Sequence, residues 1–484
     1  MTATAGADQR TGRAAPSADS AAARGWTGAD TALAVALFLG AAIWFHWLAA
    51  GASTQGVLTG EEASITHRDT LALRLGWQPS VWSTNVGAQL YYWAAGHLSS
   101  DYGLFYARPW KALGTALLAP LVFGTARRRL ACRRGPAALA AVLTVALPGV
   151  SMLAWVAIET PLDVVVGLAA LLVVTSSRRG WWAGPTIAGL AVSTYTAGLA
   201  GAAAVVLVAL SRIRGWRDAV AVAAGVAGGL AIVLAPLAWW SNGGIVVTGG
   251  GRAGADPAQA GAHLAEMLGY AVRSGASYYY FSDLPALGGP VIAVVLLAGA
   301  AVATWSRPAL VWPWAAALGA SLVLYAVSSG VPGTRRLVLA VVVLALLAGV
   351  GLDVVLAGRL PALVAAVVTV VAAVAVVAPL VGPTTTWRAQ VASGERPLPI
   401  DWPFPLDPGG DQTSTLARLA EDLRAGRLTV DQVGDGWGGT RTLAMLYMLD
   451  ERNGRTPPLT PADVLAYYRV SEDCPPLDGT ACSR

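Results

Sequence analysis

An all-α polytopic membrane protein is the fold class this chain predicts, on three observations. Hydrophobic residues make up 55% of the 484 and charged residues only 13%, with a mean hydropathy of +0.56. That balance belongs to chains whose helices are solvated by lipid. Apolar runs that approach the length of a membrane crossing recur eleven times. Twelve arginines clustered between those runs fall on one side when each run is counted as a span.

Residues 1–28 are rich in Ala, Thr, Ser and Gly with scattered charge and no periodicity, which predicts a disordered cytoplasmic N-terminus. They lack the short apolar core and cleavage site of a signal peptide, so the first run, 31–50, reads as an uncleaved anchor. Further runs follow at about 109–126, 136–154, 161–175, 184–195, 197–211, 218–239, 290–305, 309–327, 337–356 and 361–381. Together they make residues 29–382 a transmembrane domain of about 11 helices. The split of 184–211 follows the polar patch Ser193-Thr194-Tyr195-Thr196, because one span of that length would need strong tilt.

Arginine tests this count. Arg127, Arg128, Arg129, Arg133 and Arg134 lie between the second and third runs, and Arg178 and Arg179 follow the fourth. Arg212, Arg214 and Arg217 follow the sixth, Arg307 the eighth and Arg359 the tenth. Eleven spans put all twelve on the cytoplasmic side, in keeping with the positive-inside bias. The formal charge of +5 is small for this length and sits in short loops, so it gives no case for nucleic-acid binding.

The same count leaves four regions outside: the loop 51–108, a turn near Glu159, the segment 240–289, and a C-terminal domain, 383–484. The segment 240–289 is Gly-rich early, then helix-like from 257 to 274, and ends in the aromatic run Tyr278-Tyr279-Tyr280-Phe281. The C-terminal domain opens with a proline-rich stretch, 396–408, expected to be extended. Helical patterns follow at 414–425 and 440–453, and Thr460-Pro461 opens a third as an N-cap with proline at the first helical position. Cys474 and Cys482 lie close enough in sequence to form a disulfide if this tail is extracytoplasmic, whereas Cys132 sits among arginines and is expected to stay reduced.

Chemistry-bearing residues concentrate in the outer regions. Glu61 and Glu62 follow the first run directly, and adjacent carboxylates beside a span are costly to keep there. The loop beyond them carries Trp77, Trp82, Tyr91, Tyr92, Trp93, His97, Tyr106 and Trp110, a mixture suited to an amphipathic face at headgroup depth. Arg335 and Arg336 lie on the outer side, against the bias of every other inter-span arginine cluster, and guanidinium suits phosphate. Glu159 and Asp163 are four apart at the outer start of a span, where acids also stabilise a first helical turn through the dipole. Glu62 with His67 could touch a divalent metal, yet no paired His or Cys spacing supports a site. No phosphate-binding Gly-rich loop ending in Lys-Ser/Thr and no Gly-x-Ser-x-Gly elbow occurs.

In their order along the chain, these features resemble the GT-C superfamily of integral membrane glycosyltransferases, in the branch of the protein O-mannosyltransferases and the lipid A aminoarabinose transferase. The residues that carry the likeness are Glu61-Glu62-Ala63, Gly87-Ala88-Gln89-Leu90-Tyr91-Tyr92 and Arg108. Pro161-Leu162-Asp163, Ala188-Gly189-Leu190-Ala191 with Thr194-Tyr195, and Arg335-Arg336 complete it, over about residues 31–356. The family's first acid is usually Asp, and the second residue of its late Arg motif is aromatic; here these are Glu61 and Arg336. The resemblance implies a GT-C-like helical domain in the cell membrane; it does not carry the C-terminal domain, whose extracytoplasmic placement follows from the odd span count. It implies transfer of a sugar from a polyprenyl-phosphate donor to a glycan, lipid or protein acceptor. Glu61 would be the general base, with Glu62 as the other acid of the pair. Arg335 or Arg336 would hold the donor phosphate, with Arg108, Lys111, Tyr91, Tyr92 and His97 as further donor contacts. A transporter or flippase of lipid-linked sugar is the rival reading, and it would need discontinuous helices and charges near the membrane midplane.

Overall fold

A computed structural model describes residues 26–74, 86–99, 103–177, 179–240, 257–273, 282–327, 334–357, 361–398, 412–434, 439–460 and 463–464. Among them the chain is helical throughout, without a strand. Every apolar run read in the sequence folds as helix. The first is Gly28–Ser53, opened by a capping box in which Thr27 and Asp30 satisfy one another's backbone N–H groups.

The second run is two helices, Ala107–Ala116 and Leu118–Arg128, and the third is Arg134–Ala146 followed by Pro148–Ala154. That third pair is bent by 57°. Pro148 causes the bend, since proline begins a helix readily but cannot continue one. The split at 184–211 falls where the polar patch places it, between Gly180–Thr194 and Gly198–Leu210.

By length and apolarity, five described helices can cross a membrane: Gly28–Ser53, Trp216–Ala235, Pro308–Val327, Thr334–Leu356 and Val364–Ala392. The bent pair makes a sixth if it counts as one span. Leu162–Val174, Gly198–Leu210 and Pro290–Ser306 are apolar but shorter. These breaks and short helices keep the number of full-length crossings below the eleven expected. The last long helix runs from Ala362 to Ala392, through Pro379 and Pro383 and past residue 382, where the C-terminal domain was expected to begin.

Val338–Leu356 is the central helix, buried along nearly its whole length. It packs against Pro290–Ser306 and Arg134–Ala146. Its approach to Pro290–Ser306 depends on a glycine pair: a Cβ on Gly351 would stand 2.1 Å from the Gly299 carbonyl oxygen. Small residues that let backbones meet are the usual device where the hydrophobic effect cannot drive helices together.

The Arg-rich end of the bundle is tied by two buried aspartates. Asp30 accepts from Arg127 Nε at 3.0 Å and Arg134 Nε at 2.9 Å. Asp353, at the end of the central helix, accepts from Arg133 Nε and Arg307 Nη2, each at 2.8 Å. Arginines that the sequence marks only as a topological signal therefore join helix ends from four parts of the chain. Cys132 lies buried among them as a free thiol.

At the opposite end, the C-terminal helices Gln412–Arg424 and Gly439–Arg452 match the patterns at 414–425 and 440–453. Thr460 and Asp463 form the expected third cap. A short helix, Val430–Gly434, intervenes where none was predicted. These helices share a second hydrophobic core with the loop after the first helix: Leu416, Leu419, Leu443 and Leu446 pack with Leu58, Ala63, Leu71 and Leu104. In the segment 240–289, Pro257–Val272 is the expected helix. Trp77, Trp82, Arg178, Arg359, Cys474, Cys482, the Gly249–Gly251 run, the Tyr278–Phe281 run and most of the proline-rich stretch lie outside the described residues.

Candidate functional site

The acidic pair sits on one helical turn. Thr59 caps Gly60–Glu62: its hydroxyl accepts from Glu62 N at 3.2 Å, and Glu62 Oε2 accepts from Thr59 N at 3.1 Å. A π-helical segment, Ala63–Asp69, follows directly. Such segments are rare and recur at functional sites. The two carboxylates point to different surroundings and have different freedom.

Glu62 is fully buried. Arg108 grips it in a fork, Nε to Oε1 and Nη2 to Oε2, both at 2.9 Å. Ala157 N donates to Oε1 at 2.9 Å, so with Thr59 N the carboxylate accepts four bonds. A carboxylate has about four lone-pair sites, so none is left to take a substrate proton. Burial alone would raise this carboxyl, but Arg108 and the backbone donors hold it below its usual range. The expected catalytic share of Glu62 does not fit this geometry.

Arg108 is likewise spent. Nη1 donates to Ser53 Oγ at 3.0 Å and Nη2 to the Val57 carbonyl at 2.8 Å, with the guanidinium 5.2 Å from the Trp155 ring centre. Lys111, also fully buried, donates from Nζ to the Ile158 and Thr160 carbonyls at 2.7 and 2.6 Å. Tyr92 donates to the same Ile158 carbonyl at 2.7 Å, and Tyr91 to the Trp110 carbonyl at 2.6 Å. His97 is exposed and stacks edge-on with Trp93, 4.7 Å between ring centres. These are the five groups expected as donor contacts. Four hold backbone or Glu62 instead, because they are buried and must be satisfied internally.

Lys111 and Tyr92, together with Glu62, hold the turn carrying Glu159. Segment 155–161 links Pro148–Ala154 to Leu162–Val174. Glu62 takes its Ala157 N–H, Tyr92 and Lys111 take its Ile158 carbonyl, and Lys111 takes its Thr160 carbonyl. Glu159 is thereby presented, almost fully buried, beside Glu61 and Arg335. Asp163 is buried one turn further along, on the Lys111 side.

Arg335 lies in the short helical turn Thr334–Leu337. Its Nη1 donates to Glu61 Oε2 at 3.0 Å and stands 3.9 Å from Glu159 Oε2. The guanidinium lies 5.0 Å from the centre of the Tyr195 ring, a cation–π contact. Tyr195 was part of a motif in the sequence, but nothing there marked it as a platform for Arg335. Arg336 is half-buried in the same turn, and with Arg335 its charge opposes the burial that raises the Tyr195 hydroxyl. Glu61 keeps 23% of its side chain exposed, against 3% for Glu159. Burial first and the Glu61 charge second push the Glu159 carboxyl upward, against the pull of Arg335.

The arrangement therefore offers a solvent-reachable carboxylate, a buried carboxyl that favours its proton, and one guanidinium between them. Among the described residues no three or more His, Cys, Asp or Glu side chains are disposed to share a metal ion. His67 is buried against Thr66, with its ring nitrogen 2.8 Å from the Thr66 hydroxyl, and burial lowers its pKa to about 4. The nearby Glu62 charge acts against that lowering without cancelling it.

No family model matches the chain, and no curated protein matches it in sequence. Among solved structures, ArnT from Cupriavidus metallidurans, crystallised bound to undecaprenyl phosphate, aligns with 91% of this chain and 74% of its own at 16% sequence identity and a TM-score of 0.43.

Proposed function

We propose that this chain is a membrane glycosyltransferase, moving a sugar from a polyprenyl-phosphate donor to an acceptor hydroxyl at the Glu61 end of the bundle. The observation that carries the reading is the Glu61–Arg335–Glu159 cluster. Two carboxylates compete for one guanidinium at the rim of a lipid-solvated helical domain. The order of sequence motifs that resembles the GT-C glycosyltransferases supports the same reading.

In this mechanism Arg335, backed by Tyr195 and flanked by Arg336, takes the donor phosphate. The donor's phosphodiester carries one negative charge and two free oxygens, which a guanidinium can take in a bidentate pair in place of the Glu61 carboxylate. Glu61 is then relieved of its ion pair and accepts the proton of the acceptor hydroxyl. The acceptor oxygen bonds to the anomeric carbon as the carbon–oxygen bond to phosphate breaks. The electron pair leaves with the polyprenyl phosphate, whose new charge the guanidinium stabilises. One displacement inverts the anomeric centre. Glu159, holding its proton longer than an ordinary carboxylic acid, donates a hydrogen bond to the sugar or acceptor.

Glu62 and Arg108 are struts in this reading. The C-terminal helices face the extracytoplasmic side, and the Arg-rich end faces the cytoplasm. The sugar, and the choice among glycan, lipid and protein acceptors, are left to experiment. The test is consumption of a polyprenyl-phosphate hexose or pentose in vesicles carrying the purified protein, with release of polyprenyl phosphate. Wild-type protein consumes the donor and the Glu61→Gln variant does not. Movement of intact donor across the bilayer without cleavage would instead make the protein a flippase.

A further inference from the structure

The run that leads into the acidic pair, residues 54–59, has no regular secondary structure of its own, and Gly56 turns there with φ 65°. Something else must hold its backbone groups. Arg108 holds the Val57 carbonyl from one side. From the other side the holder is Gln412, the first residue of a C-terminal helix and more than 350 positions away. Leu58 N donates to Gln412 Oε1 at 2.7 Å, and Gln412 Nε2 donates to the Leu58 carbonyl at 3.1 Å. Gln412 N donates in turn to the Gly56 carbonyl at 2.9 Å. Both partners are buried, Gln412 at 1% and Leu58 at 2% exposure.

A buried peptide unit needs a donor and an acceptor together, and an unmet one is costly. Glutamine supplies both from one planar group at the spacing of a backbone ladder. Asparagine is a methylene shorter, leucine offers neither, and ionised glutamate can only accept. Beneath this clamp the two parts of the chain share an apolar core, and Arg74 pairs with Glu451 at its edge at 2.7 Å. Leu58, whose N–H and carbonyl Gln412 both grips, is followed immediately by Thr59, the cap of the turn that carries Glu61.

We infer that Gln412 is a positioning residue: through it the C-terminal helices set the backbone from which Glu61 meets Arg335. The catalytic role of Glu61 belongs to the function proposed above, but the clamp itself can be measured without any substrate. General-base catalysis tolerates little misplacement, since a shift of about 1 Å costs on the order of a hundredfold in rate. The C-terminal helices are thus a structural half of the acidic loop, and their removal would unfix it.

Hydrogen exchange on the full-length protein in lipid nanodiscs tests the clamp. Gln412→Leu should speed exchange of the amides at 56–62 by roughly ten- to a hundredfold, with the central helix Val338–Leu356 unchanged. Gln412→Glu is the sharper variant. Protonated, glutamate accepts from Leu58 N and donates to the Leu58 carbonyl, as glutamine does; ionised, it sets a carboxylate against that carbonyl. Burial against the Leu58 carbonyl raises the introduced carboxyl above its ordinary value of about 4.3, so protection at 56–62, corrected for intrinsic rates, should match wild type near about pH 5 and fall toward about pH 8 more steeply than in wild type. Turnover of a polyprenyl-phosphate sugar should follow the same curve in kcat more than in KM. Unchanged protection at 56–62 in Gln412→Leu, or a pH-independent Gln412→Glu, would overturn the inference. If the clamp behaves as stated while wild-type protein turns over no donor, the transferase reading fails and the clamp stands.

Discussion

The two ends of the bundle resolve charge in opposite ways. At the Arg-rich end each buried aspartate has two arginines, Arg127 and Arg134 on Asp30, and Arg133 and Arg307 on Asp353. At the other end Arg335 is shared by two acids, Glu61 and Glu159. Glu62 and Arg108 stand between these cases, one to one and fully bonded. Where acids are outnumbered by donors, the ions are locked and serve as joints between helices. Where one guanidinium lies between two acids, one of them still reachable by water, an incoming anion or hydroxyl changes the balance most.

Glu61→Gln tests the reactive side of this comparison most severely. It keeps the side chain's size and removes the proton acceptor. Turnover should fall by about 10²–10⁴-fold, measured as sugar transfer from a defined polyprenyl-phosphate donor with donor binding followed separately. Full activity in this variant would end the contrast between Glu61 and the locked acids.

Glu62→Ala should act through folding instead. It strips Arg108 of its counter-ion in a buried setting, which costs about 3–5 kcal/mol. It also releases Ala157 N and loosens the Glu159 turn. Thermal or denaturant unfolding in nanodiscs should show the loss, with expressed protein reduced. A well-folded Glu62→Ala protein that had lost only turnover would move Glu62 from strut to participant.

Arg335→Ala removes the one cation that both acids share. The protein should fold, because Glu61 is reachable by water. Transfer should fall by roughly ten- to a hundredfold, the range of one charge-assisted contact. The effect should appear in donor use more than in thermal stability. The Arg-rich end supplies the matched control. Asp353→Asn weakens a joint between helices and should cost roughly 1–3 kcal/mol of stability, while the protein that remains folded transfers at the wild-type rate. Reversal of these two outcomes would invert the assignment of the ends.

How much of this was legible in the sequence differs between the same regions. The helical class followed from composition, and every helix in the apolar runs was visible as an apolar run. The break at 147 had a signal in Pro148 and the break at 117 one in Pro120, whose ring cannot donate to the Ala116 carbonyl, and these breaks are one reason that run count and full-length crossings diverge. Glu61, Glu62 and Arg335 stood out because charge was kept where lipid or topology disfavours it. Their roles did not. The saturation of Glu62 depends on Arg108 and on a backbone N–H from residue 157, and no local pattern announces such partners. Lys111, the one lysine beside an acidic loop, read as a phosphate ligand and is instead bonded to two backbone carbonyls. Gln412 carried no signal at all, since a lone glutamine at a helix start is ordinary until its partner is seen.

The smallest expected effect, and the finest test of the comparison, concerns Glu159. Its carboxyl titrates above the ordinary range because burial and the nearby Glu61 charge outweigh Arg335. The sign follows from linkage. A carboxyl whose folded pKa lies above its unfolded value binds its proton more tightly in the folded state, so stability is lost as pH rises through the interval between the two. Glu159→Gln fixes the neutral form. Relative to wild type it should be near neutral or slightly destabilising in acid and increasingly stabilising as pH rises past the unfolded value near 4.5. Asp353→Asn should show no such gain, because it leaves Arg133 and Arg307 without the carboxylate that joins them. Unfolding followed from acid to mildly alkaline pH, for both variants beside wild type, separates the cases. A Glu159→Gln protein with a pH-independent stability difference would mean that Arg335 already compensates both acids, and the charge shortage that distinguishes the two ends would not exist.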